Sequence, residues 1–179
     1  MEKMLLVLYG EKSCGKTTTL MSLVKLLVGP IGASLVDKTF LDKRGKYKDA
    51  RMIVKYNNIQ MFIATGGDSW YVCRENTEFF QNSFHNMDIY CVSSSEVRIL
   101  SSVEKKTINL EPTICISACR PSGDKYGAIK ALHAYNEKHL MAYNKQKWIR
   151  KETQKIENSN KKAADIKVII DDFLATFPI

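Results

Sequence analysis

A chain of 179 residues, 45% of them hydrophobic, suits one α/β domain with a full core, and no Pro/Gly/Ser-rich stretch marks a linker. No apolar run approaches the ~18 residues of a membrane helix, and Gly10-Glu11-Lys12 cuts the N-terminal apolar stretch short, so neither a transmembrane span nor a secretory signal is expected. The expected location is the cytoplasm, with no membrane partner, and the net charge of +8 is not spread evenly along the chain.

Met4 to Tyr9 is bulky and apolar throughout, as a strand buried on both faces requires. Gly10 to Thr17 then read G-E-K-S-C-G-K-T and fill every fixed position of the phosphate-binding loop pattern G-x-x-x-x-G-K-[ST]. Behind the loop, Leu20, Leu23, Val24, Leu26 and Leu27 recur at helical steps until Gly29-Pro30 ends the helix. Strand, glycine loop and helix start follow in the order the chemistry needs. Gly10 and Gly15 let successive amides turn inward around an anion, and the helix N-terminus adds partial positive charge there. Lys16 is expected on the β- and γ-phosphate oxygens and the Thr17 hydroxyl on a Mg²⁺ ion bridging them. The expected nucleotide-binding set is Gly10, Glu11, Lys12, Ser13, Cys14, Gly15, Lys16, Thr17 and Thr18.

Five cysteines, an odd number without paired C-x-x-C spacing, indicate a reducing compartment. Cys73, Cys91, Cys115 and Cys119 read as small buried hydrophobes. Cys14, close to a helix start, is expected to have a lowered pKa and to react with alkylating reagents unless nucleotide protects it.

Ile31 to Lys48 lacks periodicity and reads as a long loop, with Asp37 a candidate metal ligand and Thr39 a further oxygen donor. Arg51–Tyr56 and Ile59–Thr65 flank Asn57-Asn58, a pair that tolerates the positive φ of a tight hairpin. The second strand leads into Gly66-Gly67-Asp68-Ser69. Ligands of open α/β sheets gather at such strand ends, which makes Asp68 a candidate for Mg²⁺ or for the attacking water. A helix with an aromatic core face is predicted from about Arg74 to Phe84. Asp88–Ser93 and Thr113–Ala118 read as buried strands with a helix over 96–106 between them, the β-α-β rhythm of a parallel sheet. Arg120, just past the second of these strands, could contact a phosphate or stabilise transferred charge.

A helix is expected from Gly127 to about Asn144, a strand over Gln146–Lys151, and a closing helix bearing Ile166, Ile169, Ile170, Phe173 and Leu174. His133 and His139 are too poorly aligned for a two-histidine metal site, and His85 stands alone, so no zinc is expected. The last third is crowded with lysines and arginines, from Lys125 to Lys162. Three readings stay open for it: a solvated helix surface, a nucleic-acid or protein partner face with Tyr135, Tyr143 and Trp148 as stacking platforms, or a lid near 143–162 that attracts phosphorylated small molecules.

The Gly10–Thr17 segment with its flanks resembles the phosphate-loop nucleoside triphosphatases. That resemblance implies a three-layer α/β/α sandwich, with a mainly parallel sheet and one antiparallel hairpin, binding ATP or GTP with Mg²⁺. The hairpin leading to Thr65-Gly66-Gly67-Asp68 is similar to the switch region of small GTPases, although Ala64 stands where their Asp-x-x-Gly carries Asp. Asn144-Lys145-Gln146-Lys147 approaches their guanine-recognition segment but ends in Lys. Small phosphate-loop kinases share the size and a basic lid. Hydrolysis of ATP is the first expectation, with Lys16, Asp68 and Arg120 as catalytic residues and Thr17, Asp68 and Asp37 as metal ligands. Phosphoryl transfer to a nucleotide or other small acceptor is the second. A nucleotide-gated interaction module with little turnover is the third.

Overall fold

The apolar run Met4–Tyr9 is strand β1, and it lies inside a mixed six-stranded sheet, paired in parallel on both sides. The protein is seen in a computed structural model that describes residues 4–11, 13–28, 33–35, 49–67, 69–80, 90–92, 97–99, 113–120, 145–151 and 156–177. The helices described are α1 (Lys16–Val28), α2 (Trp70–Phe80) and α3 (Ile156–Leu174). The strands after β1 are β2 (Ala33–Leu35), β3 (Arg51–Tyr56), β4 (Ile59–Ala64), β5 (Tyr90–Val92), β6 (Val97–Ile99), β7 (Ile114–Cys119) and β8 (Lys145–Arg150).

The large sheet has the order β2-β3-β4-β7-β1-β8. β4, β7, β1 and β8 are parallel, while β3 is antiparallel to β4 and β2 to β3. The class is therefore α/β with a mixed sheet. Burial explains why β1 shows no alternation: Leu6 and Leu8 face α1 and α3, while Leu5 and Val7 face the other way, and all four are fully enclosed. Each such side chain contributes about 1.5–3 kcal/mol of burial free energy. α1 and α3 pack against each other on the first face, with Leu20, Leu23, Ile166 and Ile170 in the shared core. α2 covers part of the opposite face, where Cys73 is buried next to Cys119 of β7.

The hairpin turn is as expected, with Asn57 at φ 49° and Asn58 at φ 61°. Tyr56 at its tip donates a 2.9 Å hydrogen bond to Asp171, and the Lys167 ammonium bonds the other oxygen of that carboxylate while standing 5.2 Å from the Tyr56 ring. This triad ties α3 to the hairpin.

Several expectations are corrected. Ala33–Leu35 lies in the predicted long loop but pairs with β3, a strand too short to show a pattern. α2 starts a full turn before Arg74 because Ser69 caps it, its hydroxyl accepting from the Val72 amide at 3.3 Å. Tyr90–Val92 joins no parallel sheet: it pairs antiparallel with Val97–Ile99, where a helix was expected. The strand expected over Gln146–Lys151 is present as β8, Lys145–Arg150, and the helix from Ile156 packs on α1. The predicted helix over 127–144, the end of the Arg74–Phe84 helix, Tyr135, Tyr143 and all three histidines lie outside the described residues. Among the described residues no helix is long and apolar enough to cross a membrane.

Candidate functional site

The residues that carry chemistry meet at the carboxyl end of the parallel strands. β1 delivers the loop there, because its pairing with β7 and β8 puts Tyr9 level with Cys119 and Arg150. The Gly10 amide donates to the Cys119 carbonyl at 3.1 Å and the Lys151 amide to the Tyr9 carbonyl at 2.6 Å, so the loop starts from a fixed platform. Ser13 (φ 59°) and Gly15 (φ 92°) take the left-handed turns that curl the chain into the start of α1. Gly10 is required for a different reason. A Cβ on it would stand 2.5 Å from the Lys151 carbonyl oxygen and 2.7 Å from the Cys14 sulfur.

Lys16, only 5% exposed, turns its ammonium back across the loop and donates to the carbonyls of Gly10 and Glu11, both at 2.9 Å. The first amides of α1 have no carbonyl within the helix to bond, the general condition of helix starts that suits them to anions. At Thr17 the hydroxyl donates to the Asp49 carboxylate at 2.8 Å, with the Thr65 carbonyl a secondary neighbour at 3.3 Å.

Asp49 is the site residue that sequence reasoning missed. It sits just before β3, and because β3 runs antiparallel to β4, its beginning lies at the same sheet edge as the end of β4. Thr65 locks this edge: its amide donates to the Ala50 carbonyl at 2.9 Å and its hydroxyl accepts from the Ala50 amide at 2.8 Å. Beyond Asp49, the buried Asn76 of α2 donates to the Gly66 carbonyl at 2.7 Å and accepts from Arg51 Nε at 3.0 Å, while the Arg51 guanidinium pairs with Glu75. Asp49, Ala50, Arg51, Gly66, Val72 and Asn76 enclose a cleft of about 120 Å³. Gly67 then passes so close to β7 that a Cβ would lie 2.0 Å from the Ala118 carbonyl oxygen, and its own carbonyl accepts from the Arg120 amide at 2.9 Å.

Arg120 thus follows β7 directly beside the loop, since β7 lies between β4 and β1. Its Nε is buried without a hydrogen-bond partner among the described residues. A buried donor left this way costs about 1–3 kcal/mol, which an anionic acceptor would offset. Among the expected site residues, Gly10, Glu11, Ser13, Cys14, Gly15, Lys16, Thr17 and Arg120 are brought to this one edge, and Thr18 follows in the first turn of α1. Lys12, Asp37, Thr39 and Asp68 lie outside the described residues.

The expectation of a reactive Cys14 is not met by its surroundings. Its side chain is 1% exposed, with the sulfur under Gly10 and 4.0 Å from the Lys16 ammonium, so a reagent has no path to it while the loop is closed. Cys119 is held as a neutral thiol: its hydrogen bond with Cys73 and its burial push its pKa far up, against the nearby charge of Lys16. It packs rather than reacts. Among the described residues no three histidine, cysteine or acidic side chains cluster as a metal cage.

No family model, curated protein or solved structure matches this chain.

Proposed function

We propose that the chain binds a nucleoside triphosphate, ATP in the first instance, with Mg²⁺ at the Gly10–Thr18 loop and hydrolyses it, in a three-layer α/β/α fold of the phosphate-loop type. The observation that carries this reading is the pair of contacts made by the adjacent residues Lys16 and Thr17. An ammonium drawn over its own loop carbonyls and a hydroxyl resting on a carboxylate are the two groups such a ligand needs, both held in place by internal partners. The shape of the loop supports it further, because Gly10 has no room for a side chain and Ser13 and Gly15 take the left-handed turns that lead the backbone into α1.

The residues fit the ligand in their chemistry. Phosphate oxygens can replace the Gly10 and Glu11 carbonyls as acceptors for Lys16, and these charge-assisted bonds are the stronger ones. Mg²⁺ takes one or two protein oxygens and completes its shell with water and phosphate, so Thr17 and Asp49 suffice without a cage. When bound, the ion supplies neutralisation of charge on the β- and γ-phosphates. Hydrolysis breaks the bond between the γ-phosphorus and the β–γ bridging oxygen. Water forms the new P–O bond, its proton passes to the product phosphate or solvent, and the diphosphate keeps the bridging electron pair. The chain contributes position and charge: loop amides and Lys16 hold the phosphates, and Arg120 meets the developing negative charge with a buried donor that has no acceptor among the described residues. The expected part of Asp68 in orienting water, and of Asp37 on the metal, remains part of the proposal.

Phosphoryl transfer to a small acceptor is the second reading, and the cleft behind Asp49 favours it by offering space next to the same carboxylate. One experiment separates the readings. Purified protein is incubated with ATP and Mg²⁺, alone and with a panel of nucleoside monophosphates, and ADP is measured. Hydrolysis predicts ADP in every tube, and transfer predicts ADP only with an acceptor. Tight binding without ADP in any tube would overturn both and leave the nucleotide-gated module.

A further inference from the structure

We propose that Lys151 is a second cation of the phosphate site, placed on the flank opposite Asp49 to bind the phosphate nearest the nucleoside. The inference deepens the proposed function and rests on it. Lys151 follows β8, which pairs with β1 so that Tyr9 is level with Arg150, and the next residue on each strand falls beside the other: Gly10 beside Lys151. Its backbone is fixed by the 2.6 Å bond from its amide to the Tyr9 carbonyl.

From there the side chain follows the loop. A Cβ built on Gly10 would stand 3.3 Å from Lys151 Cβ, and one built on Gly15 would stand 3.9 Å from Lys151 Cε. The stem therefore runs from the first glycine of the loop to the last, and its ammonium is one bond beyond Cε, next to the start of α1. Lys151 is 3% exposed, whereas Lys161 on α3 lies in solvent. Taking an ammonium out of water is costly, and a charge at such depth acts through a lower dielectric than a surface lysine does. Buried along the backbone of the loop, Lys151 is no part of a solvated basic face and is positioned beside any anion the loop holds.

The placement also says which phosphate. β7, β4 and β3 lie on one side of β1 and bring Asp49 to Thr17, while β8 lies on the other side and brings Lys151 to Gly10 and Gly15. A polyphosphate with its terminal groups at Thr17 and Asp49 directs its nucleoside end toward β8. Lys16 serves the terminal phosphates and Lys151 the proximal one. Both the diphosphate and the triphosphate should feel Lys151, whereas the metal should not.

The test measures the Kd of ADP without metal and of ATP with Mg²⁺ by calorimetry on wild type, Lys151→Met, Lys151→Arg and Asp49→Asn. Methionine keeps the buried stem and removes the charge. Lys151→Met is expected to weaken ADP and ATP by the same factor, about tenfold or more, with the Mg²⁺ requirement unchanged and the dependence on salt reduced. Lys151→Arg should recover most of the affinity. Asp49→Asn should affect only the metal-dependent part. Wild-type affinity in Lys151→Met, with or without a lowered melting temperature, would make the lysine a packing residue and overturn the inference, as would a loss confined to ATP. Failure of the wild type to bind either nucleotide would instead remove the phosphate site itself and this inference with it. If Lys151→Met does not fold, the Hε–Cε signal of Lys151 in the wild-type protein, assigned with Lys151→Arg, decides by NMR: it should shift on adding ADP alone, and an unmoved signal overturns the inference.

Discussion

The hydroxyl of Thr17 donates to the carboxylate of Asp49 at 2.8 Å, joining the first turn of α1 to the start of β3 across 32 residues of sequence. Asp49 is exposed, so the contact adds little stability, and the proposed metal site accounts for it better than a structural role does. The same carboxylate lines the cleft behind it.

Asp49→Asn separates the two explanations, because the amide still presents an oxygen to Thr17 but lacks the charge. Its stability should stay within about 0.5 kcal/mol of wild type in denaturant unfolding. Titration of Mg²⁺ at fixed ATP should show about a tenfold rise in the metal concentration needed for half-maximal binding.

Gly67→Ala tests the strand packing behind the site. Gly67 has ordinary backbone angles, so the difficulty is space alone: the added carbon would meet the backbone of Ala118 and Cys119. Neither neighbour can move without breaking β7. The expected cost is about 3 kcal/mol or more in urea unfolding, with Arg120 displaced as well because its amide bonds the Gly67 carbonyl.

Asn76 is 1% exposed and satisfies two groups at once, the Gly66 carbonyl and Arg51 Nε. Asn76→Ala leaves both unpartnered beside the cleft. Unfolding measurements should show a loss of about 2 kcal/mol. Asn76→Asp, which keeps the acceptor for Arg51 but not the donor for Gly66, should remain unstable.

The triad at the hairpin tip gives a dependence on pH. Burial raises the Asp171 pKa, but hydrogen bonds from Lys167 and Tyr56 outweigh it and hold the carboxyl below its ordinary value of 3.8. A depressed folded-state pKa means that the stabilisation is complete above the unfolded value and disappears as pH falls through the folded one. Asp171→Asn should therefore be less stable than wild type at neutral pH and equal to it once pH has dropped well under 3.8. The difference should be only a few tenths of a kcal/mol, because the pair is partly exposed and the lysine precedes the acid near a helix C-terminus, the weaker orientation. Melting temperatures of both proteins across acidic pH measure it.

How much of this could be read from residues in order follows from the range of each interaction. The Gly10–Thr17 turn between strand and helix was legible because its glycines, lysine and threonine are contiguous, and β1, the Asn57-Asn58 hairpin and α3 because their patterns are long or their turn chemistry is explicit. β2, β5 and β6 have three residues each, too few for a period to show. The start of α2 is hidden because Gly66-Gly67-Asp68-Ser69 reads as a turn, and only the bond from the Val72 amide shows Ser69 as its cap. Asp49 carries no local signal at all. Its position depends on β3 running antiparallel into the edge where the parallel strands end, and on β4 being separated from β1 by β7, neither of which is written in any short stretch of sequence. The burial of Lys151 is hidden for the same reason, since its neighbours Gly10 and Gly15 lie some 140 residues away.

Thermal melting of wild type and Lys16→Ala, with and without ATP and Mg²⁺, bears most directly on whether the loop holds a triphosphate. At a ligand concentration a hundredfold above Kd, binding adds about 2.7 kcal/mol, a rise of roughly 5–10 °C for a chain of this size. Wild type should show that rise, and Lys16→Ala should lose nearly all of it while melting within a few degrees of wild type in the absence of ligand. An equal rise in both proteins, or no rise in wild type at millimolar ligand, would contradict the account.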